Sequence, residues 1–300
     1  MKSSKYIWKN GKFVKWEDAQ THVLSHTLHY SGGVFEGIRF YKTDQGSAIF
    51  RLKEHTQRFF YSAKTIHMHL PYSQKEFMSE VAKTVKKNNL KTGYIRPLAY
   101  YGYGNLTVVP KNIPPETIIA AWEWGAYLEH SSVRVKISNF IRIHPASTVA
   151  DAKLCGNYIN SILAVLEAQK EGHDEALFLD HKGYIAEASG ENFFLVKDKK
   201  IYTPELGSIL PGITRSAIIE LARDLGYKVI EKKLKPKDLK HATEAFFSGT
   251  AVEITPIASV DNIKFKFSEG GPITKHLKEE FLKIVTGKNP KYKKWLTYVK

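Results

Sequence analysis

Apolar positions recur along this chain with two different periods, near 3.6 and near 2, and the period sorts the segments into helices and strands. Over 6–15 two short apolar runs flank Asn10-Gly11, a pair that accepts the left-handed geometry of a two-residue turn, which predicts a β-hairpin. Ser73 and Glu76 have capping-box spacing, and the helix they open buries Phe77, Val81 and Val85 before Asn88-Asn89 stops it. A second helix opens near Asn157, sets Ile159, Ile162, Leu163 and Leu166 on one face, and ends at Gly172. Residues 176–180, 184–186, 192–197 and 201–203 predict successive strands joined by tight turns such as His181-Lys182-Gly183. Ile218, Leu221, Ala222 and Leu225 mark a helix ending at Gly226, and Ala245-Phe246-Phe247 an apolar strand. Strands and helices are mixed throughout, without repeats or a low-complexity linker, and an α+β fold is expected. A shift in composition near Trp124 predicts a small N-terminal α/β domain over 1–126, an interdomain loop over 127–134 and a larger domain over 135–300.

Composition narrows the class. A chain of 300 residues that is 43% hydrophobic can bury a substantial core, and its 12% aromatic share excludes disorder. Met1-Lys2-Ser3-Ser4-Lys5 leads into mixed sequence without the apolar stretch of a secretory signal, and the longest apolar run, 118–122, is too short to span a bilayer. A cytosolic protein with no membrane partner is expected. The one cysteine, Cys155, has no disulfide partner within the chain and reads as a small buried hydrophobe. The net charge of +15 raises nucleic acid as a partner. Its cations are dispersed over 83–91, 232–240 and 283–300, without the interleaved aromatics of a recognition module, so they read as solvated faces and no nucleic-acid partner is expected.

Four segments carry candidate chemistry. In Asp151-Ala152-Lys153-Leu154-Cys155-Gly156-Asn157-Tyr158 a lysine precedes an apolar helix; an amine leaving water becomes neutral more easily and then attacks carbonyls. A solvated lysine is the ordinary alternative. Pro211-Gly212-Ile213-Thr214 opens a helix whose free N–H groups and dipole favour a phosphate, and Ser248-Gly249-Thr250-Ala251 is a small-residue turn that can aim N–H groups at an anion. A plain N-cap and a plain turn are their alternatives. Glu187-Ala188-Ser189-Gly190-Glu191-Asn192 sets two carboxylates among buried strands, either seeking a cation or lying in a solvated loop. Walker, Rossmann, His-Glu-x-x-His, Cys-x-x-Cys and Gly-x-Ser-x-Gly patterns are absent, so no metal site is expected.

Taken in order, Tyr30-Ser31-Gly32-Gly33-Val34-Phe35-Glu36-Gly37-Ile38-Arg39, Tyr94-Ile95-Arg96-Pro97-Leu98, Lys153 with Gly156-Asn157-Tyr158, 187–192, 210–215 and 248–251 resemble the branched-chain amino acid aminotransferases. These are class IV aminotransferases, pyridoxal-phosphate enzymes of fold type IV, whose larger domain has a β-barrel-like core. The resemblance implies that Lys153 binds pyridoxal 5'-phosphate covalently and then shuttles the substrate proton. Glu187 would pair with the pyridine nitrogen and Tyr158 with the phenolic oxygen. Arg58, the N–H groups of Ile213 and Thr214, and Thr250 would hold the phosphate, with Leu210 against the ring and Asn192 in the polar surround.

The same likeness assigns the substrate carboxylate to Tyr94 and the Thr250-Ala251 turn, and the side-chain pocket to Phe35, Gly37, Trp124, Tyr127 and Tyr158. Arg96 would meet the distal carboxylate of glutamate, with Arg39 shaping the region and Tyr30 arriving from a second subunit. Tyr103-Gly104-Asn105-Leu106-Thr107-Val108 resembles a partner-supplied lid, placing Leu106 and Val108 at the substrate and implying a homodimer or higher homo-oligomer. Asn105-Leu106-Thr107 departs from the smaller, Gly-containing stretch of bacterial members. The implied reaction is reversible transamination of leucine, isoleucine and valine with 2-oxoglutarate, the last step of branched-chain amino acid biosynthesis. Two relatives of the same fold are the alternatives. A D-amino acid aminotransferase carries an Arg-x-His pair where this chain has Arg96-Pro97-Leu98, and an aminodeoxychorismate lyase needs room for a large anionic aromatic substrate.

Overall fold

The computed structural model describes residues 3–125 and 131–300, and the chain divides into two units. One comprises Met1–Gly125, Ala152–Gly156 and Lys283–Lys300; the other comprises Ala126–Asp151 and Asn157–Leu282. The division expected from sequence, a single cut within 127–134, differs from this in three ways. Val133–Ile137 is already a strand of the second unit, and two distant segments belong with the first. The segment at 152–156 is tied there by a bridge between Leu154 and Val34. The C-terminal strand Leu296–Tyr298 pairs antiparallel with Gly46–Phe50, and the Arg51 guanidinium lies 3.8 Å from the Trp295 ring centroid. Such long-range pairing leaves no local periodicity to read.

The first unit is built on an eight-stranded sheet. Its order runs Leu296–Tyr298, Gly46–Phe50, Ile38–Thr43, Gly93–Tyr101, Pro115–Trp122, Tyr6–Lys9, Lys12–Lys15, with Gly33–Phe35 added against Gly93–Tyr101. The predicted hairpin forms, with Asn10 at φ 49° and Gly11 at φ 90°, both in the left-handed region that such a turn requires. Helix Gln74–Lys87 starts at the predicted capping box and buries Phe77, Val81 and Val85. Helix Leu52–Thr65 packs beside it, with Phe59 stacked on Phe77 at 5.0 Å between ring centroids.

The second unit closes a barrel of six strands. Ile185–Ala188 pairs with Glu175–Leu179, then Val133–Ile137, Glu253–Val260, Glu244–Gly249 and Asn192–Lys197 follow, and Glu187 opposite Asn192 completes the circuit. This is the β-barrel-like core expected. Closure leaves those strands without edges, and Phe193, Leu195, Phe247 and Ile257 pack in its core. Helix Tyr158–Lys170 lies on Glu175–Leu179. It does so with Ser161, Ala164 and Ala168, while Ile159, Ile162 and Leu166 are 59, 53 and 58% exposed. The apolar face read from sequence therefore exists but points outward. Small side chains win the inner face because they let the helix approach the strands closely, whereas branched residues would hold it off.

Candidate active site

Within the first unit Lys153 is pinned through its backbone on both sides. Its N–H donates to Ser62 Oγ at 2.9 Å, and its carbonyl accepts the Phe35 N–H at 3.2 Å. The side-chain amine lies 4.9 Å from the Phe35 ring centroid. Arg58 and Ser62 both come from helix Leu52–Thr65, one turn apart, so one helix face carries a guanidinium and the anchor of the lysine backbone.

Arg58 is held in turn. Its Nε donates to Glu36 Oε1 at 2.7 Å and its Nη2 to Oε2 at 3.0 Å, while His55 Nδ1 donates to Oε2 at 2.7 Å. Glu36 is completely buried. Burial alone would push its pKa up, but the Arg58 guanidinium and His55 beside it hold the carboxyl well below the usual range. Burial lowers the pKa of His55, favouring the neutral imidazole.

Several of the expected substrate residues meet in this unit. Arg96 Nη2 donates to the Tyr94 hydroxyl at 3.0 Å, and its guanidinium lies 4.7 Å from the Phe35 ring centroid. Trp124 meets Tyr94 edge-on at 4.5 Å. A side chain at Gly37 would collide with the Tyr94 hydroxyl, so the absence of one lets that tyrosine stand where it does. Arg39, buried beside Tyr94 in register, donates to the Gly125 carbonyl at 3.2 Å. Tyr30, Leu106 and Val108 are all exposed; the Tyr30 hydroxyl donates to the Leu106 carbonyl at 3.0 Å, and the buried His26 holds the Thr107 carbonyl at 2.9 Å. Tyr127 lies outside the described residues.

In the second unit Glu187 and Asn192 face each other across the barrel closure. Glu187 is buried and accepts from Arg142 Nε at 2.8 Å, Asn192 Nδ2 at 3.1 Å and the Leu210 N–H at 3.1 Å. Asn192 also donates to the Leu210 carbonyl at 3.0 Å, so the backbone of Leu210 is part of the carboxylate's setting. Helix Ile213–Asp224 begins after Gly212, which brings no side-chain cap, and its first turn carries Ile213 and the buried Thr214. A side chain at Gly212 would strike the Asn192 amide. Thr250 and Ala251 turn the chain between Glu244–Gly249 and Glu253–Val260. Beside that turn the buried Ser248 Oγ has no hydrogen-bond partner among the described residues. Tyr158 is the first residue of its helix.

These donor sets fit a phosphate and a ring cation. An uncapped helix start with Thr214, and a turn next to an orphaned buried hydroxyl, are arrangements that an anion completes. A carboxylate that accepts from three donors is fixed in orientation, as an acceptor for a protonated ring nitrogen must be. Sequence reasoning missed Glu36, His55, Ser62 and Arg142. His55 and Arg58 stand three apart on a helix, a spacing open to inspection, whereas Arg142 sits in an irregular segment that carries no periodic signal. Among the described residues no cluster of three or more His, Cys, Asp or Glu could hold a metal ion.

The amino-transferase class IV family model matches residues 33–260. A branched-chain-amino-acid aminotransferase of Pseudomonas aeruginosa is 46% identical over 298 residues, covering 98% of this chain and 97% of its own length. The Escherichia coli K12 enzyme of the same name is 43% identical over 304 residues, covering 99% of this chain and 98% of its own. Among solved structures, the Escherichia coli branched-chain amino acid aminotransferase aligns with a TM-score of 0.96 at 43% identity, over 99% of this chain and 100% of that one. A second solved branched-chain amino acid aminotransferase, from the organism abbreviated T.th. and complexed with N-(5'-phosphopyridoxyl)-L-glutamate, aligns with a TM-score of 0.96 at 46% identity over 99% of both chains.

Proposed function

Because this chain belongs to the amino-transferase class IV family, we propose that it transfers the amine of leucine, isoleucine and valine to 2-oxoglutarate, using pyridoxal 5'-phosphate. The reading is carried by Lys153, an amine on a backbone fixed at both its N–H and its carbonyl and laid over an aromatic face. When bound, pyridoxal phosphate supplies an aldehyde that condenses with amines and a ring that accepts an electron pair from the substrate carbon. Lys153 would provide the amine that holds the cofactor and would carry the proton at the substrate carbon. Glu187 would accept a hydrogen bond from the ring nitrogen, with Arg142 and Asn192 keeping its carboxylate in place. Tyr158 donates to the phenolic oxygen. Arg58, the N–H groups of Ile213 and Thr214, and the Thr250 hydroxyl hold the phosphate, with Leu210 beside the ring.

Tyr94 and the Thr250-Ala251 turn bind the substrate carboxylate. Phe35, Gly37, Trp124 and Tyr158 wall the side-chain pocket, where one methylene is worth about 1 to 3 kcal/mol, so discrimination among the three amino acids is modest. Arg96 and Arg39 serve the distal carboxylate of glutamate. Tyr30, Leu106 and Val108 reach substrate from a second copy of the chain, which makes a homodimer in the cytosol the working form. The decisive experiment is Lys153→Ala: valine transamination should fall by at least about a thousandfold, since both nucleophile and proton carrier are lost, with the melting temperature little changed. A variant that still transaminates valine at near the parent rate sinks the assignment. Turnover of D-alanine with none of L-valine would replace it by D-amino acid transamination.

A further inference from the structure

We propose that Glu36 and His55 are positioning residues of the phosphate site, a buried carboxylate and imidazole that fix the one orientation in which Arg58 meets a phosphate monoester. The inference rests on the reading of Arg58 as a phosphate ligand. Glu36 takes Nε and Nη2, one edge of the planar guanidinium, at 2.7 and 3.0 Å. Because the fork is rigid and flat, fixing one edge fixes the direction of every other N–H. Glu36 cannot itself drift. It has no solvent exposure, its Oε2 accepts from His55 Nδ1 at 2.7 Å, and its own N–H is bonded to the Pro97 carbonyl at 2.9 Å. His55 and Arg58 lie on one face of helix Leu52–Thr65, so helix, imidazole, carboxylate and guanidinium form a closed frame.

Charge makes the arrangement informative. A carboxylate beside a phosphate ligand opposes anion binding by Coulomb's law, and it cancels the formal charge of Arg58. A site selected for attraction alone would leave that carboxylate out. Its presence implies that alignment of donors, rather than net positive charge, sets affinity for the phosphate. Ser62, one turn beyond Arg58, holds the N–H of Lys153, so the same frame ties phosphate placement to the reactive amine.

The experiment compares how tightly the protein holds pyridoxal phosphate and pyridoxal, which lacks the phosphate, by absorbance of the bound chromophore. The ratio of the two affinities isolates the phosphate contribution. Arg58→Gln should lower that ratio about ten- to hundredfold, the range for lost bonds to a charged group. Glu36→Gln and His55→Leu should each lower it by about tenfold, while His55→Gln, whose amide can still donate to Glu36, should restore most of it. If Arg58→Gln loses the preference and both Glu36→Gln and His55→Leu keep it, the positioning role is overturned. A merely structural role would weaken both ligands equally and leave the ratio unchanged, which also overturns it. Should Glu36→Gln not fold, His55→Leu decides alone, since it leaves the Glu36–Arg58 pair intact. If Arg58→Gln keeps the ratio, the phosphate reading of Arg58 fails first, and the inference falls with it.

Discussion

At position 37 a single methyl group decides whether Tyr94 keeps its place, because a Cβ there would occupy the space of the tyrosine hydroxyl. Gly37→Ala should displace that ring and the Arg96 bond to it, raising KM for both valine and 2-oxoglutarate by about tenfold or more and lowering the melting temperature. Steady-state kinetics and a thermal scan test this; unchanged KM values would show that Tyr94 does not bind substrate. Cys155 offers a second test. Burial pushes its thiol up to about 11, so at pH 8 it is almost wholly protonated. Native protein should react with iodoacetamide far more slowly than the same protein in urea, and comparable rates would contradict the burial. Residues such as Lys153 and Glu187 could be named in advance because their neighbours form recognisable strings. Their partners Ser62 and Arg142 could not, because hydrogen bonds between residues 91 and 45 apart leave no trace along the chain.

At the level of elements, apolar period and end signals located the helices Gln74–Lys87, Tyr158–Lys170 and Ile213–Asp224 and the strand Asn192–Lys197, because stop or turn residues bound them, whereas helix Pro272–Val285 was not read from the sequence. Ser73 is a case with a measurable weight: Ser73→Ala removes one half of a capping box and should cost about 1 kcal/mol in urea unfolding. Helix Tyr158–Lys170 shows where the pattern misleads. Its branched residues line the outer face beside exposed Phe140 and Ile141, and small residues face the strands. An apolar stripe left exposed on a globular protein marks a binding surface, and a second copy of the chain is the partner proposed above. Ile162→Glu should therefore shift the protein toward monomer in sedimentation velocity, with far-UV circular dichroism preserved. An unchanged sedimentation coefficient would place the subunit contact elsewhere.

For the whole molecule, stability should fall on mild acidification. Burial holds the His55 pKa below its ordinary value, so below about pH 6.5 the unfolded chain takes up a proton that the native imidazole refuses. Lower still, Glu36 contributes stability that is fully present above about pH 4.3 and is lost as pH falls toward its depressed native pKa. The urea midpoint should drop from pH 7 to pH 5, and His55→Gln should flatten that drop; a midpoint independent of pH in both proteins would exclude the buried neutral imidazole. What the sequence determined by itself was local: the periods that make helices and strands, the turns and caps that end them, and the strings of residues that mark a class IV aminotransferase. Tertiary structure alone decided which distant segments join. It returned 152–156 and the C-terminal strand to the first unit, closed the barrel through Glu187 and Asn192, set Glu36 and His55 around Arg58, and turned the apolar face of a helix outward. The reason is physical: period and composition report what each segment prefers, whereas pairing partners and the direction of a face follow from close packing among residues far apart in the chain.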